Sequence, residues 1–153
     1  MLSSSQDATP REVAIQLLAR REYSRAELVR KLEQKAFAAD DIDACLDALV
    51  EQGLQSDVRF AETFIRSRIN RGQGVIRIQG ELRQRGVDRE IATEAFAVVE
   101  EREGVDWFEL ARETLARRFA SPGDTPKERA KRERFLATRG FNFDQIRYAL
   151  DAL

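Results

Sequence analysis

The sequence predicts an all-α protein built from three tandem three-helix repeats. Three observations carry that expectation. Apolar residues recur at helical spacing through nine segments, most of them opened by a capping signal. One spacing pattern occurs three times along the chain. No stretch alternates apolar and polar residues over strand length, and the β-branched runs that strands need are missing. The expected division is a flexible N-terminus over residues 1–8 and repeats over 9–54, 55–104 and 105–153.

The first repeat opens at Thr9-Pro10-Arg11-Glu12, an N-cap Thr, a Pro at the first helical position and a Glu where a capping box wants it. Val13, Ala14, Leu17 and Leu18 follow at helical spacing. Ser24-Arg25-Ala26-Glu27 is a second capping box, ahead of Leu28 and Leu32. A third periodic stretch holds Ile42, Cys45, Leu46, Leu49 and Val50 and stops at Gly53. In the middle repeat, Ser56 and Asp57 open a helix carrying Phe60, Ala61, Phe64 and Ile65 that closes near Gly72. Val75, Ile78 and Leu82 make the next, closed by Gly86, and Asp88 caps a third with Ile91, Ala95, Phe96 and Val99. The last repeat starts at Asp106 and Trp107 with Leu110, Ala111 and Leu115. After the loop Ser121-Pro122-Gly123-Asp124, the capping box Thr125-Pro126-Lys127-Glu128 leads to Phe135 and Leu136. Asn142 to Gln145 caps the final helix, with Ile146 and Leu150.

The repetition lies in the spacing. Leu28, Leu32, Phe37 and Ile42 have counterparts in Ile78, Leu82, Val87 and Ile91, and again in Arg132, Leu136, Phe141 and Ile146. A basic-small pair precedes the third member each time: Lys35-Ala36, Arg85-Gly86, Arg139-Gly140. A unit of this size buries its own apolar face poorly, so neighbouring units are expected to pack.

Composition excludes several chemistries. The 153 residues are 42% apolar and 35% charged, against a usual charged share of about 25%, which implies a large solvated surface. There is no His, so Ser-His-Asp and Cys-His pairs and His-ligated metals are excluded. Cys45 is the sole cysteine, and on an apolar helix face without an activating base it reads as an inert buried thiol. No apolar run approaches membrane-spanning length, and residues 1–9 lack a signal-peptide apolar core, so a cytoplasmic protein without a membrane partner is expected. Asp40, Asp41 and Asp43 read as complements of a helix dipole rather than a Mg²⁺ site. Gly72-Gln73-Gly74 reads as a tight turn, because no strand precedes it and the dinucleotide fingerprint is incomplete. Trp107 and Phe108 read as packing between units rather than as a base-stacking platform. No cofactor is expected.

Charge follows the repeats. Residues 39–62 carry a net −6, 63–89 a net +5, 90–113 a net −6 and 114–139 a net +5. Of the 26 basic residues 22 are Arg, the side chain suited to bidentate contact with carboxylate or phosphate. Arg66, Arg68, Arg71, Arg77, Arg83, Arg85 and Arg89 cluster in the middle repeat, with Arg132 and Arg139 in the last. Some of these charges pair between units, and the rest offer basic faces to an anionic partner. All but Arg89 are the expected partner-binding residues, with Arg77 and Arg85 foremost. A helix-turn-helix reading meets an electrostatic objection. The third helices carry Asp40, Asp41, Asp43, Asp47 and Glu51, or Glu90, Glu94, Glu100 and Glu101, which phosphate would repel from a major groove. Binding through the Arg-rich second helices stays open.

In the middle repeat, Ser56-Asp57-Val58-Arg59-Phe60-Ala61-Glu62, Arg66-Ser67-Arg68, Gly72-Gln73-Gly74, Arg77-Ile78, Glu81-Leu82 and Arg85-Gly86-Val87 form a pattern that resembles the RecX family of bacterial recombinase regulators. Arg134-Phe135-Leu136 with Arg139-Gly140-Phe141 resembles the family's third repeat, and Leu28, Leu32 and Phe37 fit its first. Val75 departs from the Pro that the family often has there. The resemblance implies an elongated, curved array of three-helix repeats. It implies binding to the RecA filament on single-stranded DNA; a monomer that also contacts the single-stranded DNA is expected. Inhibition of ATP hydrolysis, strand exchange and repressor self-cleavage would follow, without catalysis by the chain itself. The alternative reading of the residues is a general nucleic-acid-binding helical module acting through its Arg patches.

Overall fold

The computed structural model describes residues 8–153; nearly all of the expected flexible N-terminus lies outside the described residues. Among them, nine helices follow one another. They are α1 (Pro10–Arg20), α2 (Arg25–Gln34), α3 (Ala39–Glu51), α4 (Asp57–Asn70), α5 (Val75–Gln84), α6 (Arg89–Glu103), α7 (Trp107–Arg118), α8 (Pro126–Thr138) and α9 (Phe143–Ala152). No strand occurs among the described residues.

Local signals set most of the helix starts. Ser24 and Glu27 exchange both bonds of a capping box at α2, as do Thr125 and Glu128 at α8 and Asn142 and Gln145 at α9. At α1 only half of the expected box forms: Thr9 Oγ1 accepts from the Glu12 amide at 3.1 Å, while the Glu12 carboxylate turns to the Thr9 hydroxyl. Ser56, Asp88 and Asp106 cap α4, α6 and α7. Such a cap contributes about 1 kcal/mol. Two helices lack a side-chain cap, α3 after Ala38 and α5 after Gly74. In α3, Asp40 and Asp41 sit in the first turn, where the dipole favours them.

Each set of three helices closes around its own apolar cluster. Leu28, Leu32, Ile42, Leu46 and Leu49 centre the first unit. Phe60, Ile65, Ile78, Leu82 and Val99 centre the second. Leu115, Leu136, Phe141, Ile146 and Leu150 centre the third. Helices pack chiefly with partners of their own unit. The expectation that neighbouring units would pack is met where the third unit begins, with Val105 and Trp107 on the middle cluster and the buried Thr114 against Gly72. Trp107, the first residue of α7, leaves its own unit and packs on the middle cluster, 6.0 Å from Phe96 edge to face. Its indole N–H donates to Glu100 at 2.6 Å. Phe108, beside it in sequence, stays exposed against Tyr148.

The units meet through one corner-to-cap seam used twice. In each case the corner between the second and third helices of one unit docks on the N-terminus of the second helix of the unit before it. At the first seam the Ser24 hydroxyl, at the N-cap of α2, donates to the Arg85 carbonyl at 2.7 Å. At the second, the Gly74 amide, at the N-cap of α5, donates to the Arg139 carbonyl at 2.8 Å, and the Ile76 amide to the Gly140 carbonyl at 3.1 Å. The uncapped end of α5 is thus satisfied by another unit. Both corner glycines have left-handed backbone, φ +80° at Gly86 and +99° at Gly140. A Cβ on Gly86 would collide with Ala26, and one on Gly140 would lie 2.5 Å from the Arg77 Cβ. The same corner of the first unit holds Ala36 at φ +65°. It is exposed.

Further polar bonds reinforce the first seam. The Gln55 amide donates to the Tyr23 carbonyl at 3.1 Å, the Arg25 amide donates to Asp57 at 2.8 Å, and Arg59 pairs with Glu22. No hydrogen bond or ion pair joins the first unit to the third among the described residues, so the units form an array rather than a ring.

Candidate functional site

Arg77 and Glu81 of α5 and Arg85 at its C-cap recur every fourth residue and so share one face. Phe64 and Arg68 of α4, with Arg71 at its C-cap, form the matching face. The two rows meet in a narrow stripe across the middle unit. The Arg68 side chain is only 12% exposed, with Nε 3.4 Å from Glu81 Oε1. Its guanidinium lies 4.3 Å from the Phe64 ring centroid, and that of Arg85 lies 4.9 Å from it. Arg68 Nε, Glu81 Oε1 and Arg85 Nε are all buried without completing a hydrogen bond. Burial pulls the pKa of Arg68 below its ordinary value. Glu81 opposes that fall, while Arg71, Arg85 and Arg77 add to it. Arg remains charged at any physiological pH. The stripe therefore holds a largely buried cation, Arg68, among Arg71, Arg77 and Arg85, against the two carboxylates of Glu81 and Glu27, a surplus that favours an arriving anion.

Both ends of the stripe run into seams. Arg85 Nη1 lies 3.0 Å from Glu27, which also receives Arg21 at 3.3 Å. At the far end Arg139 Nη1 donates to the Arg71 carbonyl at 3.3 Å, its guanidinium 4.9 Å from the Phe135 ring centroid. Arg77 Nη1 stands 3.5 Å from the Thr138 carbonyl, too far to hold it firmly. The basic surface thus spans the whole middle unit and touches both neighbours.

Of the eight expected partner-binding residues, Arg68, Arg71, Arg77, Arg85 and Arg139 come together here. The other three do not. Arg66 lies in a shallow recess with Ile69, Asn70 and Glu103. Arg83 faces the groove between α5 and α6. Arg132 is spent on the loop before α8, with Nε donating to the Ser121 carbonyl at 2.7 Å and Nη1 to the Glu128 carbonyl at 3.0 Å. The acids that organise the stripe, Glu27 and Glu81, escape a reading of basic patches. The four-residue steps from Arg77 to Glu81 to Arg85 were the available signal for Glu81. The acids of α3, and Glu90, Glu94 and Glu101 of α6, are solvent-exposed, which sustains the electrostatic objection to groove entry. Glu100 is occupied by the Trp107 indole.

Three family models match the chain in order. The first three-helix domain of RecX covers residues 11–49, the second 56–95 and the third 105–150. Regulatory protein RecX of Chromohalobacter salexigens is 58% identical over 147 residues, covering 96% of this chain and 94% of that protein. The chain belongs to the RecX family. A second RecX relative, from Halorhodospira halophila, is 45% identical over 93% of this chain and 86% of its own length. The crystal structure of RecX from Lactobacillus salivarius matches the fold with a TM-score of 0.78 at 24% identity, over 99% of this chain and all of that one. Another RecX crystal structure matches at 0.80 and 22% identity, over 95% of this chain and 73% of that one. These RecX relatives are regulatory proteins by name, and this chain shares their array of three-helix domains. No helix among the described residues is long and apolar enough to cross a membrane. Val75, the departure from the RecX pattern, lies between two seam donors, the amides of Gly74 and Ile76. Its own amide takes no part in the seam.

Proposed function

We propose that this chain regulates a RecA-type recombinase, mainly as an inhibitor. It lies on the recombinase filament assembled on single-stranded DNA. There it restrains ATP hydrolysis, strand exchange and the stimulation of repressor self-cleavage that drives the SOS response. It acts in the cytoplasm, as a monomer, and performs no catalysis. The observation that carries this reading is the stripe of Arg68, Arg71, Arg77, Arg85 and Arg139, which crosses the middle unit from seam to seam. A repeating filament presents the same acidic or phosphate groups at successive subunits. An array of three linked units can engage more than one of them, and linked contacts raise the effective concentration of the next. Family membership supports the choice of partner, since the relatives carry the name of a regulatory protein.

DNA-dependent ATP hydrolysis by a RecA-type recombinase tests the reading. The rate is titrated with this protein at two concentrations of single-stranded DNA and two of salt. Inhibition is expected to persist when DNA is in excess and to weaken with salt, since exposed charges are screened over about 8–10 Å near physiological ionic strength. Full relief by added DNA alone would replace the reading with that of a general nucleic-acid-binding module.

A further inference from the structure

A second basic feature lies outside the stripe. Between α5 and α6 is a cavity of about 230 Å³ lined by Gln79, Arg83, Val87, Arg89, Ala92 and Thr93. Val87 and Ala92 are buried and form its apolar floor. Arg83 and Arg89 rise at its rim, one from each helix, and both are exposed. Neither makes an ion pair or donates a side-chain hydrogen bond within the described residues, unlike Arg68 and Arg85 a few residues away. The Thr93 hydroxyl donates to the Arg89 carbonyl at 2.9 Å and keeps its oxygen free to accept. The cavity therefore has two forked donor groups, an amide and a small apolar base, and no carboxylate lines it.

The fold does not need these two cations. Aligning the repeats on their corners sets Gly86 against Gly140 and against Ala36. Arg83 then stands where the third unit has Ala137 and the first has Glu33. Arg89 stands where they have Phe143 and Ala39. In the third unit the same groove between second and third helices is lined by Ala137, Phe143 and Ile146, with Arg134 and Arg147 beside them. The groove is thus a property of the repeat; in the third unit its two Arg are accompanied by Glu133, whereas no carboxylate lines the middle one. Arg89 also occupies the first turn of α6, where the helix dipole opposes a cation. Two unpaired cations at a site that disfavours one of them call for an anion from outside.

We propose that the α5–α6 cavity is a docking site for a carboxylate side chain of an acidic segment in a partner protein, held by Arg83 and Arg89. Arg binds a carboxylate through two parallel N–H···O bonds, and two Arg on facing helices can grip a single carboxylate from both sides. A nucleic-acid backbone fits less well. Its phosphates form a continuous line of charge, whereas the cavity gathers its two cations at one point. A peptide delivers its charge at one point, and an apolar neighbour can rest on Val87 and Ala92. The site is separate from the stripe and does not depend on the recombinase reading.

The test uses the whole chain labelled with ¹⁵N and two probes, a hexaglutamate peptide and an oligothymidylate of matched charge. Titration with the peptide is expected to move the resonances of Gln79, Arg83, Arg89 and Thr93 first, including the Arg Nε signals. In the Arg83→Gln/Arg89→Gln variant those shifts should vanish and affinity for the peptide should fall at least tenfold, with the thermal midpoint unchanged because both side chains are exposed. The oligothymidylate should move Arg71 and Arg77 in preference. Peptide shifts centred on Arg71 and Arg77, an affinity the double variant retains, or stronger filling of the cavity by the oligothymidylate would overturn the proposal.

Discussion

Arg83 and Arg85 stand two residues apart on one helix turn, and the fold gives them opposite fates. Arg85 reaches across a seam to Glu27 and leans on Phe64, while Arg83 faces an open cavity without a partner. The same contrast of context governs the glycines. Gly53 and Gly86 share a left-handed backbone, φ +75° and +80°, but a Cβ on Gly53 meets nothing within 4 Å and one on Gly86 meets Ala26. Gly53→Ala is expected to cost only the left-handed strain, roughly 1–2 kcal/mol. Gly86→Ala should cost more, since the corner must also shift on its neighbour. Urea unfolding of the two variants measures the difference, and equal losses would contradict the seam. Cys45 gives a third residue-scale expectation. Burial raises its thiol pKa, only partly offset by Arg11. The thiolate is the reactive form, so alkylation at pH 8 should run slower than for free glutathione and accelerate only at higher pH. Cys45→Ala should leave function intact; loss of inhibition in a folded variant would show that the thiol has a role.

At the scale of the element, a seam adds to the apolar contact expected between repeats. The first seam carries the Arg85–Glu27 pair, with Glu27 only 13% exposed. Exposed pairs contribute about 0–1 kcal/mol, and partial burial places this one toward the upper part of that range. Arg85→Glu should set two carboxylates against each other and open the seam, lengthening the maximum dimension in small-angle scattering while helix content holds. The swap Glu27→Arg/Arg85→Glu should restore the wild-type profile. A profile unchanged in the single variant would deny the pair a role. The entrance to α8 makes a pH prediction. Glu128 accepts from the amides of Asp124 and Thr125, which hold its carboxyl below the ordinary range. A carboxyl with a lowered folded pKa stabilises above its unfolded pKa and loses that contribution as pH falls through the folded value. Amide exchange at Asp124 and Thr125 should therefore rise, relative to the intrinsic rate, as the pH is brought below the ordinary Glu range. Glu128→Gln should remove that pH dependence. The loop before α8 also places Gly123 against Glu128, on the helix turn that bears the seam in α2 and α5.

Across the whole molecule, what could be read from sequence is what local physics fixes. The capping boxes at Ser24, Thr125 and Asn142 formed because each needs only four consecutive residues. The apolar steps from Leu28 to Ile42 and from Ile78 to Ile91 located the corners. The seams were not legible, because the partner of Gly74 is Arg139 and that of Ser24 is Arg85. Nothing within either short motif points so far along the chain. The register of the repeats held the clue, since both carbonyls follow the second helix at the same position as that of Lys35 does in the first unit. For the same reason the Arg cluster could be located but not sorted. Whether an Arg crosses a seam, lies over a ring or faces solvent depends on the neighbouring unit. The seam-to-seam stripe is proposed to engage a recombinase filament. The measurement that bears on it most directly compares affinity for preformed filament with affinity for naked single-stranded DNA, in wild type and in Arg71→Glu/Arg77→Glu. Neither residue belongs to a core, so folding should be unchanged. Binding should be tighter to filament than to naked strand, with a loss of at least tenfold on filament in the double variant. Equal affinity for filament and naked strand, or a folded double variant that binds filament as wild type does, would contradict that proposal.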